Sequence, residues 1–525
     1  MRNILASKIK ITESVVVYLL TTLLFGLLFA YYKSMMPYSY GDTAFLIEVV
    51  SNLAKGLPPT SEILAQNWAV IKLGTAPLTV YCQHDLVAGM FTSDPYNWLS
   101  SLHAYIILYL IAPFAAKIGA LKALSAFMAL TFAIIPCVAY FFLRKSGVSV
   151  AVSILAAAIC MIHPAWQISS GGQFYTDRFF IPFALLYVLH VHQYFKVDTN
   201  LVSESRRYLL LAFLFGVLGG LTSERNMVTI VIFSVGYSLF ARTSIKRRAV
   251  IIGFAMLCSV YTFSYLYFWG GSTDNGGVQA GLLHWQSFVY AAKIAGVGEY
   301  LLFNLVLLVL PALFAPRVFV AVLPIVAINC LVTMGGAEKN GWLTHYHSHY
   351  YGFLMGAFLI AIANTQDTYA ERIDVAIHRL VLPITAGIAV TLLILVPHFY
   401  KGQSVFISLW DYFGRAEVAS FTRGQKSQFD EIAKNVPIGA TVTTSEWGMA
   451  AWYLHGNKVN YFPLGVGHSD FIMVQAEGAI PGIKILSAIR YGDDAVLANE
   501  CIAPVISANY KEVSRVGGWA LLKKL

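Results

Sequence analysis

Residues 38–56 read YSYGDTAFLIEVVSNLAKG, and Asp42 stands there just after a long apolar run. A carboxylate so placed can take a proton from an attacking hydroxyl. Other ionisable residues come in short clusters. His84 and Asp85 lie in CQHDL, Asp177 and Arg178 in GGQFYTDRFF, and Glu224 and Arg225 in GLTSERNM. The stretch EKNGWLTHYHSHYYG adds Lys339, His345, His347, His349 and Tyr350. Arg178, Arg225, Lys339 and the histidines are cations of the type that holds a phosphate through charge-assisted hydrogen bonds. Asp177 and Glu224 could bind sugar-like hydroxyls or orient those cations, and Asp42 with Asp177 could hold a divalent metal. The alternating histidines share one side only in an extended strand and form no definite ligand set. Each cluster also has a plainer reading. Asp42 could be a helix N-cap, the Asp–Arg and Glu–Arg neighbours could be self-neutralising turns, and the histidines and tyrosines could be an interfacial belt.

The elements that must carry these residues belong to a membrane. Of the 525 residues, 58% are apolar and 12% charged, with a mean hydropathy of +0.65. Soluble domains carry about a quarter charged residues. Apolar runs lie near 14–36, 120–142, 148–163, 179–195, 208–222, 226–241, 249–268, 300–315, 318–334, 351–365 and 379–397, so a polytopic α-helical membrane protein of about eleven transmembrane helices is expected. The first run has no cleavage site after it and is read as an uncleaved span.

The run 102–116 decides the topology. If it lies in the outer interface without crossing, Arg2, Lys8 and Lys10, Arg144 and Lys145, Lys196 with Arg206 and Arg207, Arg242 with Lys246 to Arg248, Arg317, Arg372 and Arg379 all fall on one side, the cytoplasmic one by the positive-inside rule. The acids and histidines singled out above then share the outer side. In the first outer loop, 37–119, Glu48, Ser51, Asn52 and Lys55 take one helical face after Asp42. Phe45, Leu46, Val49, Val50 and Leu53 take the other, which predicts a helix lying along the membrane surface. Domain bounds of 1–397 for the membrane part and 398–525 for the tail follow. The tail alternates short β-branched runs with Pro and Gly around a helical stretch at 446–454, the pattern of a small soluble α/β domain outside the membrane.

The formal charge of +9 is spread between the spans and gives no patch for nucleic acid. Six cysteines without a CxxC pair support neither a zinc site nor a disulfide framework.

This layout resembles the GT-C superfamily of membrane glycosyltransferases, and within it a bacterial membrane family. Asp42 falls on that family's leading aspartate, and Asn52 and Gly56 match its Asn-x-x-x-Gly ending. Ala44, Ile47 and Glu48 replace its glycine, second aspartate and glutamine. His84 falls on its His-Phe pair. Phe174 to Asp177 stands for Phe-His-Pro-Glu, Ser223 to Arg225 for Lys-Glu-Asp, and His349 with Tyr350 for its late His-Tyr. VPIGATVTTSE and NYFPLG in the tail match its Pro- and Ser-containing motifs. The resemblance implies a GT-C-like fold with interfacial helices in the first outer loop. It also implies a polyprenyl-phosphate-linked sugar donor, an acceptor glycan, lipid or protein, and a place in the bacterial cytoplasmic membrane with the N-terminus inside. Asp42 would be the catalytic base, and Glu48, His84, Asp85, Asp177, Arg178, Glu224, Arg225, Lys339, His345, His347, His349 and Tyr350 would bind substrate. The alternatives are a transporter or flippase of a lipid-linked or small polar substrate, or a binding protein that has lost catalysis.

Overall fold

The computed structural model describes residues 2–38, 41–66, 96–97, 104–162, 174–198, 200–268, 307–331, 348–369, 420–486 and 498–525. The proposed boundary at 398 lies outside these residues. Apolar helices α1 (Arg2–Met35), α4 (Ala120–Lys145), α5 (Val150–Ile162), α6 (Phe180–Lys196), α7 (Val202–Gly220), α8 (Glu224–Phe240), α9 (Ile245–Phe268), α10 (Pro316–Leu331) and α11 (Ser348–Tyr369) form a bundle. Among the described residues, three helical stretches are long and apolar enough to cross a membrane: Thr12–Tyr38, Ala120–Lys145 and Ile245–Tyr265. Their outer faces carry bare hydrocarbon: Leu19, Leu257 and Phe263 are 64%, 71% and 72% exposed. So much exposed apolar surface suits lipid and not water.

The bundle's two ends differ chemically. At one end Arg144 forms a two-point ion pair with Glu13, 2.6 Å at Nε, which ties α4 to α1. At that end too, Lys145 donates to the Tyr208 hydroxyl at 2.8 Å, and Arg247 to the Val197 carbonyl at 2.6 Å. The other end gathers the turn after α1, the approach to α6, the α7–α8 turn and the start of α11, and with them the acids.

Two short helices lie at this second end. α2 (Gly41–Ala54) follows α1 through a 3₁₀ turn, Met36–Tyr38. α3 (Ile107–Ile118) has 12 residues, about 18 Å, well short of the roughly 30 Å of hydrocarbon. Its Ile107 amide donates to the Leu221 carbonyl at 2.9 Å, and Gly119, at φ 86°, turns the chain directly into α4.

The described tail runs from α12 (Ser420–Ala433). Before the tail, the two-residue strands β1 (Thr60–Ser61) and β2 (Tyr96–Asn97) pair antiparallel. In the tail's sheet β3 (Thr441–Thr444), β4 (Lys458–Tyr461) and β5 (Phe471–Glu477) run parallel with β3 between β4 and β5, while β6 (Lys484–Ile485) pairs antiparallel with β5. β7 (Tyr510–Val516) and β8 (Trp519–Lys524) close it antiparallel. α13 (Glu446–His455) makes the crossover from β3 to β4 and covers the sheet with Trp452, which is fully buried. Gly448 lets this helix settle on β3, since a Cβ there would lie 2.5 Å from Thr444 Oγ1.

Two expectations change here. The polar face of α2 is covered at Glu48, which is buried like all of residues 43–50, while Ser51 and Asn52 are half-buried and Lys55 is exposed; α3, α4 and α13 all pack on this helix. A pattern of polar and apolar residues marks the two faces but does not show what later covers them. Second, Cys501 is disulfide-bonded, which the spacing of the cysteines gave no reason to expect, while Cys137, Cys160 and Cys258 are free thiols.

Candidate functional site

Asp42 lies in the first turn of α2, where an acid meets the positive end of the helix dipole. It is half-exposed. Its Oδ2 accepts a hydrogen bond from the Tyr175 hydroxyl at 3.1 Å, so it is engaged from a different loop as well as from its own helix. Beside it Thr43 Oγ1 accepts from the Phe174 amide at 3.1 Å. These two contacts fix the start of α2 against the chain that leads into α6.

That chain is the 3₁₀ turn Thr176–Phe179, and all four of its residues are buried. Arg178 is 3% exposed; its guanidinium stands 5.9 Å from the Tyr175 ring centre and bears electrostatically on the Tyr32 hydroxyl. Asp177 is also 3% exposed and accepts from Asn226 Nδ2 at 3.4 Å. Burial of such groups is tolerated only with polar partners around them.

Asn226 joins three helices. Its Nδ2 donates to Asp177 and to Thr222 Oγ1, the latter at 2.7 Å, and its Oδ1 meets His349 Nδ1 at 2.5 Å. His349 can reach it because α11 lies close against α6. Gly352 and Gly356 form a small-xxx-small pair, and a Cβ on Gly352 would be 2.4 Å from the Ile181 carbonyl oxygen.

Glu224 starts α8, where Ser223 caps the helix by accepting from the Arg225 amide. The Glu224 carboxylate accepts from the Ala104 amide at 3.0 Å and lies 3.9 Å from Arg225 Nε, a loose pair. Tyr105 stands between these groups. Burial pushes its phenol well above the ordinary range, and the negative charges of Asp177 and Glu224 push it further, so it is a neutral hydroxyl.

Asp42, Asp177, Arg178, Glu224, Arg225 and His349 thus lie at one end of the bundle, in a network that runs through Tyr175, Tyr105 and Asn226. Tyr350 is fully buried. Glu48, expected among the substrate contacts, is occupied with the loop after α2. Its Oε2 accepts from Ser61 Oγ at 2.5 Å and from the Ile63 amide at 3.2 Å. Burial raises its carboxyl above the usual carboxylate range. His84, Asp85, Lys339, His345 and His347 lie outside the described residues. Among the described residues no three acids, histidines or cysteines converge as a metal site. A divalent ion at Asp42 and Asp177 would need further oxygen donors, such as a substrate phosphate.

Sequence reading missed Tyr105, Tyr175 and Asn226. Asn226 follows two charged residues in a tight turn, where a polar amide at the mouth of an apolar helix was a usable signal. The GFLMG spacing at Gly352 and Gly356 was another.

The tail reaches the same end of the molecule. α13 lies along α2 and the Met36–Tyr38 turn, and the Tyr38 and Phe429 rings are 6.0 Å apart. Gln66 clasps the free edge of β4: its Oε1 accepts from the Tyr461 amide at 2.6 Å and its Nε2 donates to the Val459 carbonyl at 3.2 Å.

No protein-family model matches the chain. No curated protein matches it either. Among solved structures, one that matches is the oligosaccharyltransferase of Archaeoglobus fulgidus, tethered to an acceptor peptide containing the NVT sequon. The identity is 11%, the TM-score 0.38, and the match covers 82% of this chain and 61% of that one. The chain therefore spans about three fifths of that protein's length. At this TM-score the likeness carries no argument about the chemistry here.

Proposed function

We propose that the protein is a glycosyltransferase that moves a sugar from a polyprenyl-phosphate carrier to an acceptor hydroxyl at the outer face of the cytoplasmic membrane. The observation that carries this is one juxtaposition. A half-exposed carboxylate, Asp42, borders a buried group of cation, amide and imidazole at the end of a bundle whose sides face hydrocarbon. A substrate with an apolar tail and an anionic head suits such a place, the tail in lipid and the head at the polar end.

In this reading the acceptor oxygen attacks the anomeric carbon and Asp42 takes its proton. The bond from that carbon to the phosphate oxygen breaks, and its electron pair leaves with the lipid phosphate. Arg178 offsets the charge that develops there. Tyr175 holds Asp42 in place, and Asp177 and Glu224 orient the network.

The Cys501 disulfide supports an outward tail, because such bonds persist in oxidising compartments. Cysteines introduced at Ser427 and Ser146 should accept an impermeant thiol reagent from outside and inside respectively. The reverse pattern would put every acid on the cytoplasmic side and end this reading.

The direct test is release of polyprenyl phosphate. The full-length protein in lipid nanodiscs is incubated with a panel of polyprenyl-phosphate sugars and membrane extract as acceptor. Release above a heat-treated control is expected for at least one sugar. Binding of these donors with no release from any of them would favour the transport or binding-protein alternatives.

A further inference from the structure

We infer that the Cys501 disulfide is a strap: it joins the tail covalently to the membrane part and holds α13 down on α2. The strap does not depend on what the site transfers.

The chain has six cysteines. Cys137, Cys160 and Cys258 are free thiols, and Cys501 is bonded. The two that remain are Cys82 and Cys330. From residue 420 to the end of the chain the sequence contains no cysteine besides Cys501, so the tail has nothing of its own for Cys501 to pair with. Whichever of the two is bonded, the bridge leaves the tail and ends in the membrane part.

The fold puts Cys501 in the right place for this. β3, β4 and β5 run parallel, so their carboxyl ends point the same way, and Thr444, Tyr461 and Met473 stand level with one another. At that level the membrane part meets the sheet. Gln66 accepts from the Tyr461 amide at 2.6 Å, and Tyr38 lines a cavity together with Gly448 and Met473. β5 does not stop there. It runs on to Glu477, and β6 pairs with it at Ala476, three residues or about 10 Å beyond Met473. Asn499 is bonded twice to Ile485 of β6: its Oδ1 accepts from the amide at 2.8 Å and its Nδ2 donates to the carbonyl at 3.2 Å. Cys501 follows two residues later, half-buried, in the helical turn Ala498–Ile502. The half-cystine thus rides on a hairpin that passes the level of Gln66 and Tyr38.

What the strap adds is permanence. The Gln66 hydrogen bonds and the contact between the Tyr38 and Phe429 rings can open and close with thermal motion. A covalent bridge keeps an opened tail beside its seat, which raises the effective concentration for redocking. Forming the bridge releases two electrons and two protons from two thiols, and a disulfide oxidant of the outer compartment accepts them by thiol–disulfide exchange. Reduction reverses the step and leaves the covering of α2 to the noncovalent contacts.

Peptide mapping of the wild-type protein tests the linkage. Free thiols are alkylated, the full chain is digested without reductant, and the peptides are identified by mass spectrometry. The Cys501 peptide should be joined to the peptide of Cys82 or of Cys330, in protein that runs as a monomer on a non-reducing gel. An alkylated Cys501, or Cys501 joined to Cys137, Cys160, Cys258 or the Cys501 of a second copy, overturns the strap. Hydrogen exchange in nanodiscs tests the holding role. In Cys501→Ser the α13 amides should exchange about tenfold faster or more, the loss expected when a second attachment is removed. The β3 and β5 amides should stay protected, which shows that the tail is folded. Should Cys501→Ser fail to fold, wild type treated with a phosphine reductant gives the same comparison. Equal α13 exchange with and without the bridge, in folded protein, overturns the holding role.

Discussion

Helix α2 carries two carboxylates six residues apart, and they have opposite surroundings. Asp42 is half-exposed, in the helix's first turn, with the phenol of Tyr175 arriving from another loop. Glu48 is buried, and its hydrogen-bond donors, Ser61 Oγ and the Ile63 amide among them, come from the chain that follows the same helix. One acid is reachable and, among the described residues, meets the phenol of Tyr175. The other closes a loop. On the sequence alone both look like acids of one outer segment, and it is the number and origin of their donors that separates a group able to meet substrate from one that holds the fold.

The widest separation between them should come from amidation. Asp42→Asn keeps an oxygen for Tyr175 and remains suited to a helix start, but it cannot take a proton. Sugar transfer should fall by about 10²-fold or more, with the melting temperature unchanged. Transfer at a substantial fraction of wild type would erase the distinction. Next in size is Arg178→Ala, which tests whether the chemistry on the Asp42 side includes a phosphate. A charge-assisted contact is worth about 1.5–3 kcal/mol, so affinity for a polyprenyl-phosphate donor should drop roughly tenfold or more. Equal donor binding by the variant and wild type would remove Arg178 from the site.

The Glu48 side is sharpened by stability instead of activity. Glu48→Leu strands the Ser61 hydroxyl and the Ile63 amide, costing about 1–3 kcal/mol. Glu48→Gln can still accept both and should be tolerated. The sign of the pH effect is fixed by the direction of the shift. Burial raises the Glu48 carboxyl in the folded state, so the stability it contributes is fully present below its ordinary value and declines as pH rises through the folded one. Melting temperatures of wild type relative to Glu48→Gln should therefore fall with rising pH across that window. A gap that stays constant, or widens in favour of wild type, would mean that Glu48 is stabilised as the anion.

Much of the membrane part was legible. Period and length located α4, α6, α8 and α11 within a few residues, because an apolar span leaves few alternatives for its backbone. The run 102–116 was expected not to cross because of where the basic clusters fall; the described helix in that stretch, α3, has 12 residues with Pro113 inside it. The site was legible as a set of residue types and not as a set of contacts. Asp177 and Arg178 could be suspected because ionisable residues near hydrocarbon usually have a reason. Their partners Asn226 and Tyr105 are ordinary residues that become informative only when helices distant in sequence bring them together. The covering of α2 by the tail was not legible at all, since nothing in a surface-helix pattern specifies a partner nearly four hundred positions away.

That partner imposes an order in time. Gln66 leaves the ribosome long before Tyr461, with 395 positions between the two ends of their hydrogen bond. At translation rates of about 5–20 residues per second, the segment after α2 waits roughly 20–80 s for the strand edge it clasps. During that interval the face of α2 that α13 covers stays bare. Under this arrangement a growing chain acquires the finished covering of α2 only after the tail has been made and folded, so an incomplete chain lacks the cover that α13 gives the helix carrying Asp42.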